Sequence, residues 1–154
     1  MLDKPQIVQT QAQPAAVIRL TVLRTEIQQD MGPAMAEVMG AIAAQGMAPA
    51  GPVFSHHFRM DPDTFDFEVG VPVSGPVLET GRVTTSQLPA ATVARAVYRG
   101  SYEGLGAAWG QLMQWLASER HEPAANLWEC YVTGPESDPD PATWRTELNR
   151  PLTR

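Results

Sequence analysis

Apolar residues recur along this chain with two periods, and the periods alternate. Gln6–Thr10 and Val17–Ile27 are rich in β-branched and apolar residues and are split at Pro14. They read as one bent strand, or as two strands around a bulge. Met31, Met35, Val38, Met39 and Ile42 then fall at helical spacing, with Asp30 able to cap and Gly46 to stop, which predicts a helix from about Met31 to Gln45. Val53–Met60 and Phe65–Val73 form a predicted hairpin around the turn residues Asp61-Pro62-Asp63-Thr64. The linker Ser74–Thr80 holds Gly75-Pro76 and joins this set to a second one. There, Arg82–Ser86 and Thr92–Arg99 are strands, and Tyr102–Glu119 is a helix with an apolar stripe of Leu105, Trp109, Leu112, Met113 and Leu116. Leu127–Thr133 and Thr143–Arg150 close the set as a hairpin over a longer loop, Gly134 to Pro141, that is either a rim over a pocket or a tolerated insertion.

The order β-α-β-β therefore occurs twice, in units of about 5–73 and 82–152, and residues repeat with it. Pro49, Val53, Phe54 and Ser55 reappear as Pro123, Leu127, Trp128 and Glu129 at an offset of 74. Glu68-Val69-Gly70-Val71-Pro72-Val73 reappears as Glu147-Leu148-Asn149-Arg150-Pro151-Leu152, and Pro14-Ala15-Ala16 as Pro89-Ala90-Ala91, at offsets of 79 and 75. Two units do not make a solenoid. They predict one domain over 1–154 with pseudo-twofold symmetry, and the seam of such a domain is where a pocket is expected. Glu129 is the charge that one unit adds where the other has Ser55.

Composition narrows the partners. A hydrophobic share of 44% supports a packed core, and 17 acidic against 11 basic residues give a formal charge of −6. That sign argues against direct nucleic-acid binding, which rests on Lys and Arg, and mildly favours cationic or neutral ligands. The lone Cys130 cannot form an internal disulfide, the N-terminus lacks a signal-peptide core, and no run reaches transmembrane length. A cytoplasmic protein without membrane contact is expected, as a monomer or a homodimer.

The second unit carries a fairly specific series. Tyr98-Arg99-Gly100-Ser101-Tyr102 leads to a helix, then to Leu127-Trp128-Glu129-Cys130-Tyr131, a long Asp/Pro turn, and Trp144-Arg145-Thr146-Glu147-Leu148 with Pro151. This series resembles the GyrI-like small-molecule-binding domain, also found as the effector-binding half of MerR-type and AraC/Rob-type multidrug regulators. The resemblance covers nearly the whole chain. It implies an α+β fold, a duplicated β-α-β-β module whose antiparallel sheet carries two helices on one face, with a ligand cavity between the halves. Because the first strand starts within the first ten residues, no helix-turn-helix is expected before it, and the stand-alone form is implied.

Glu129 is the leading site residue. In a strand, Leu127, Glu129 and Tyr131 share one face and Trp128, Cys130 and Val132 the other. A carboxylate flanked by Leu127 and Tyr131 is either exposed, paired or poised for a ligand, and the resemblance implies the family's pocket glutamate at this position. Carboxylate and aromatic rings together suit a lipophilic cation. Tyr131, whose hydroxyl needs a partner if buried, is favoured over Trp128, since alternation sets Trp128 against Glu129. Trp109, Met113, Tyr98, Phe54, His56 and Phe58 are further candidate pocket walls. Glu147 either joins Glu129 as an acid/base pair or, as its repeat mate Glu68 suggests, serves the fold by pairing an arginine such as Arg145 or Arg59.

Other motifs fail. Gly104-Leu105-Gly106 has Trp109 where a dinucleotide fingerprint needs its third glycine. In Gly100-Ser101-Tyr102-Glu103-Gly104 the serine comes one place too early for a nucleophile elbow. His56 and His57 face opposite ways on a strand, His121 sits at a helix end, and no metal-ligand spacing or cofactor motif exists. Cys130 reads as a small buried side chain. Three functions remain. The first is a protein that binds amphipathic or cationic small molecules with Glu129 as anchor. The second, implied by some stand-alone relatives, is a hydrolase of cyclopropane-bearing alkylating natural products in which Glu129 activates or positions water and Tyr131 or Trp109 holds the substrate. The third is a protein binder, as in gyrase-inhibiting relatives, which no motif supports.

Overall fold

A computed structural model describes residues 2–60, 63–134 and 137–153, with the side chains of Arg24, Gln28, Arg59 and Met60 outside that description. Asp61 and Pro62 of the first hairpin turn, Pro135 and Glu136 of the long loop, and the side chain of Arg59, one of the two arginines suggested as a carboxylate partner, therefore lie outside the described residues. In chain order the elements are β1 (Gln6–Gln9), β2 (Gln13–Leu23), α1 (Ile27–Ala44), β3 (Phe54–Met60), β4 (Thr64–Pro72), β5 (Thr84–Leu88), β6 (Thr92–Arg99), α2 (Leu105–Ser118), β7 (Leu127–Thr133) and β8 (Arg145–Pro151). All described strand pairs are antiparallel, so the fold is α+β, as expected. No helix among the described residues is long and apolar enough to cross a membrane.

Contacts divide the chain into two compact units, Gln11–Ala90, and Ala91–Arg154 together with Met1–Thr10. In the first unit the strand order is β3-β4-β2-β5; in the second it is β7-β8-β6-β1. Both orders read the same way: the two strands of the hairpin, the strand before the helix, then a short edge strand. The edge strands depart from the expected boundaries. Gln6–Gln9 is not a bent continuation of β2 but pairs with β6, and Thr84–Leu88 pairs with β2 rather than opening the second repeat. Extended, β-branched stretches of four or five residues carry no signal of which neighbour they join.

Each helix lies on one face of its own unit's sheet, and the apolar spacing explains which residues it buries. Ala34, Val38 and Ile42 of α1 pack against Ile18, Leu20, Phe67, Val69 and Val71. Ala108, Leu112 and Leu116 of α2, each 74 positions later, pack against Ala94, Ala96 and Leu148. Met31 and Met35 flank the first core partly buried, whereas Met39 is exposed. Helix α1 starts four residues earlier than predicted, because the 3-10 turn Arg24–Glu26 runs straight into it and brings Ile27 onto the core. Asp30 then sits in the first turn, where its charge suits the helix dipole, rather than at the cap. Helix α2 is likewise preceded by a 3-10 turn, Tyr102–Gly104. The last strand starts at Arg145 rather than Thr143, after the 3-10 turn Pro141–Thr143.

Backbone approach is tightest at Gly70 of β4, which stands opposite Val17 of the antiparallel β2. A Cβ there would run into the Ala16 carbonyl oxygen and lie 2.6 Å from Val17 Cγ1. By contrast, a Cβ at Gly40 on the exposed side of α1 meets nothing within 4 Å. The same substitution should have opposite signs at the two sites. Gly70→Ala is expected to cost about 3 kcal/mol through strand displacement, and Gly40→Ala to stabilise by about 1 kcal/mol through helix propensity. Urea denaturation of both variants checks this.

Candidate functional site

Strand β7 and helix α2 build a polar cluster inside the second unit. On β7, Glu129 stands opposite Leu148 of β8, which in turn stands opposite Ala96 of β6. Directly opposite residues share a face, and both Leu148 and Ala96 belong to the core under α2, so Glu129 points at the helix. There its Oε2 accepts the Trp109 indole N–H at 2.6 Å and its Oε1 accepts the Tyr131 hydroxyl at 2.8 Å. The side chain keeps partial exposure, yet its carboxylate is shut in by protein. Burial pushes its pKa upward, and the two donated hydrogen bonds draw it part of the way back. No Lys, Arg or His forms an ion pair with it among the described residues.

Aromatic rings continue the cluster. The Tyr131 ring meets Tyr102 edge-on at 5.9 Å, and Tyr102 lies tilted against Trp144 at 5.0 Å. Tyr102 comes from the turn that opens α2, and Trp144 from the residue before β8. The Trp144 indole donates to the Asp138 carbonyl at 2.8 Å, and the Asp140 side chain accepts the Ala142 backbone N–H at 3.1 Å. The first bond ties the described part of the long loop to the cluster, and the second caps the short turn before Trp144. Sequence reading assigned Tyr102 and Trp144 no site role. Tyr102 stands in a short 3-10 turn and Trp144 in the extended residue after another, neither of which carries a periodic pattern; the sole signal was their place in the Tyr- and Trp-containing runs.

The remaining candidates separate. Tyr98 is buried and its hydroxyl donates to the Ser101 carbonyl at 2.9 Å. A side chain at Gly104 would collide with that hydroxyl, so the glycine lets α2 begin hard against β6. Met113 packs beside Trp109 on the core. Trp128 stands opposite Asn149, and Cys130 opposite Glu147, on the sheet face away from α2. Glu129 and Glu147 thus face opposite ways and form no acid/base pair. Glu147 lies 3.3 Å from Arg95, its ion-pair partner in place of Arg145, and accepts a bond from Asn149 Nδ2 at 3.2 Å. Burial, with the charge of Glu147, pushes the Cys130 thiol up to about 12, so no thiolate exists at neutral pH. Phe54, His56 and Phe58 belong to the first unit. His56 stacks tilted on Phe58 at 4.5 Å, and burial, with Arg19 adding to it, lowers its pKa to about 4. An open, apolar groove in the same unit, lined by Pro14, Ala15, Val73, Gly75, Pro76, Val77, Thr85 and Ser86, holds no titratable group.

The sequence model of the GyrI-like small molecule binding domain matches residues 3–152. The chain belongs to that family. Solved structures share the fold. The EcmrR C-terminal domain matches with a TM-score of 0.86 at 21% identity over 98% of both chains. EcmrR in a DNA complex matches at 0.84 and 21%, covering 97% of this chain but 57% of that one. SAV2435 bound to tetraphenylphosphonium matches at 0.71 and 13%, over 98% of this chain and 94% of that one. A hydrolase from Listeria innocua matches at 0.68 and 11%, over 97% and 92%. No curated protein matches the chain.

The raised pKa of Glu129 in this GyrI-like domain has a sign that can be measured. An acid held above its ordinary value of 4.5 binds protons more tightly folded than unfolded. Its ionisation therefore costs stability as pH rises from that value to the folded pKa, and the cost is constant above it. Relative to wild type, Glu129→Gln should become steadily more stable over that window and level off above it. Denaturant midpoints of both proteins between about pH 4 and 8 test this; a pH-independent difference contradicts it.

Proposed function

We propose that this GyrI-like domain binds small organic cations with aromatic bulk, and that Glu129 supplies the counter-charge. The carrying observation is a shut-in carboxylate with two neutral donors and no cationic partner among the described residues. A buried charge of this kind is costly until a cation joins it. Trp109 and Tyr131 hold it in one orientation, and the rings of Tyr131, Tyr102 and Trp144 offer faces to a lipophilic cation. The tetraphenylphosphonium in the SAV2435 structure is a ligand of that protein, and its chemistry suits the same kind of anchor.

Tetraphenylphosphonium is a suitable probe because its own charge does not titrate. Binding requires ionised Glu129, so affinity should rise with pH through the raised pKa and then stay flat. Below that pKa it should fall by up to about tenfold per pH unit. Glu129→Gln should bind at least about 30-fold more weakly, the equivalent of about 2 kcal/mol, with no pH dependence from this group. Titration by tryptophan fluorescence reads both. Unchanged affinity in Glu129→Gln contradicts the proposal.

Hydrolysis is the second reading, and it uses the same residue. A carboxylate made more basic by burial suits proton transfer. Each oxygen accepts one protein donor and keeps a second lone pair, so a water or a ligand N–H can reach it and turnover decides between the two readings. Incubation with a cyclopropane-bearing alkylator, followed by mass spectrometry, should give bound ligand without accumulating product. Many product molecules per protein, lost in Glu129→Gln, would make Glu129 catalytic instead.

A further inference from the structure

One polar group beside this cluster has no structural use. Thr146 on β8 is fully buried, and its Oγ1 finds no hydrogen-bond partner among the described residues. The register sets it directly opposite Tyr131 on one side and Tyr98 on the other. Directly opposite residues share a face, so Thr146 faces α2 on the same side as Glu129. It is the diagonal neighbour of Glu129, a relation that leaves Cα atoms about 7–8 Å apart and side chains within bridging distance of one small group. The two tyrosine hydroxyls that flank it are spent elsewhere, Tyr98 on the Ser101 carbonyl and Tyr131 on Glu129. Valine has the same shape and needs no partner. An orphaned buried hydroxyl is a net cost to folding, so packing does not account for threonine here.

We propose that the Thr146 hydroxyl is a second ligand-directed contact beside Glu129, selecting ammonium ligands that carry at least two N–H bonds. Such a ligand gives one N–H to Glu129 and one to Thr146 Oγ1, while its aromatic part lies among Tyr131, Tyr102 and Trp144. A quaternary ammonium or phosphonium has no N–H and uses the charge alone. This inference rests on the reading of Glu129 as a cation anchor. It adds a preference within cations that the carboxylate does not impose.

The test compares an arylalkyl primary ammonium with its fully N-methylated counterpart on wild type, Thr146→Val and Thr146→Ser, by calorimetric titration. Thr146→Val should bind the primary ammonium about tenfold more weakly, one hydrogen bond to a charged group. Its affinity for the quaternary analogue should stay within about twofold, and its thermal midpoint should not fall. Thr146→Ser keeps the hydroxyl and should keep the preference. Equal loss of both ligands in Thr146→Val, or loss of neither, overturns the proposal and leaves the Glu129 anchor standing. Failure of both ligands to bind wild type removes the anchor and the Thr146 contact together.

Discussion

A carboxylate enclosed between a helix and a sheet must be satisfied by something, and among the described residues Glu129 finds two hydrogen-bond donors but no cation. Trp109 and Tyr131 each donate one bond, which is enough to keep the group ordered and to offset part of the desolvation. Neither neutralises it. That constraint reaches into the surrounding structure. Helix α2 must bring an indole rather than an aliphatic side chain to one position of its stripe. Strand β7 must run straight for three residues so that Glu129 and Tyr131 share a face. The turn at Tyr102 and the residue before β8 must bring rings rather than ammonium or guanidinium groups up to Tyr131. A single arginine in that shell would quench the site.

The first unit shows the same positions without the charge. At an offset of 74, Trp109, Glu129 and Tyr131 correspond to Met35, Ser55 and His57. Ser55 is fully buried and its hydroxyl lies 3.2 Å from His57 Nε2. The His57 ring is stacked on Phe67 at 4.8 Å and meets Phe65 edge-on at 5.3 Å. Neutral hydrogen bonding and ring packing thus occupy the positions that correspond to the Glu129 carboxyl and its donors in the other unit.

How much of this was legible in the sequence follows from range. The helices and hairpins were readable because their apolar spacing is local, as with Leu105, Leu112 and Leu116 on α2. Glu129 stood out because a carboxylate between Leu127 and Tyr131 conflicts with strand alternation. What the strand pattern could not supply was pairing. The partners of Gln6–Gln9 and Thr84–Leu88 depend on contacts far along the chain, and the opposite facing of Glu129 and Glu147 depends on hairpin register. Tyr102 in a 3-10 turn and Trp144 in the residue between a turn and β8 escaped notice because neither place has a period to betray which side it faces. Arg95, the partner of Glu147, comes from a strand more than fifty residues away.

A cation bound as proposed meets the carboxylate that Trp109 and Tyr131 hold. The indole N–H of Trp109 reports on that carboxylate directly, and the chain has four tryptophans, few enough to resolve. The most direct measurement is a nitrogen–proton spectrum of the indole groups during titration with tetraphenylphosphonium, with Trp109 assigned from Trp109→Phe. The Trp109 resonance should shift in step with binding. Saturating binding that leaves it in place would mean that the cation sits elsewhere.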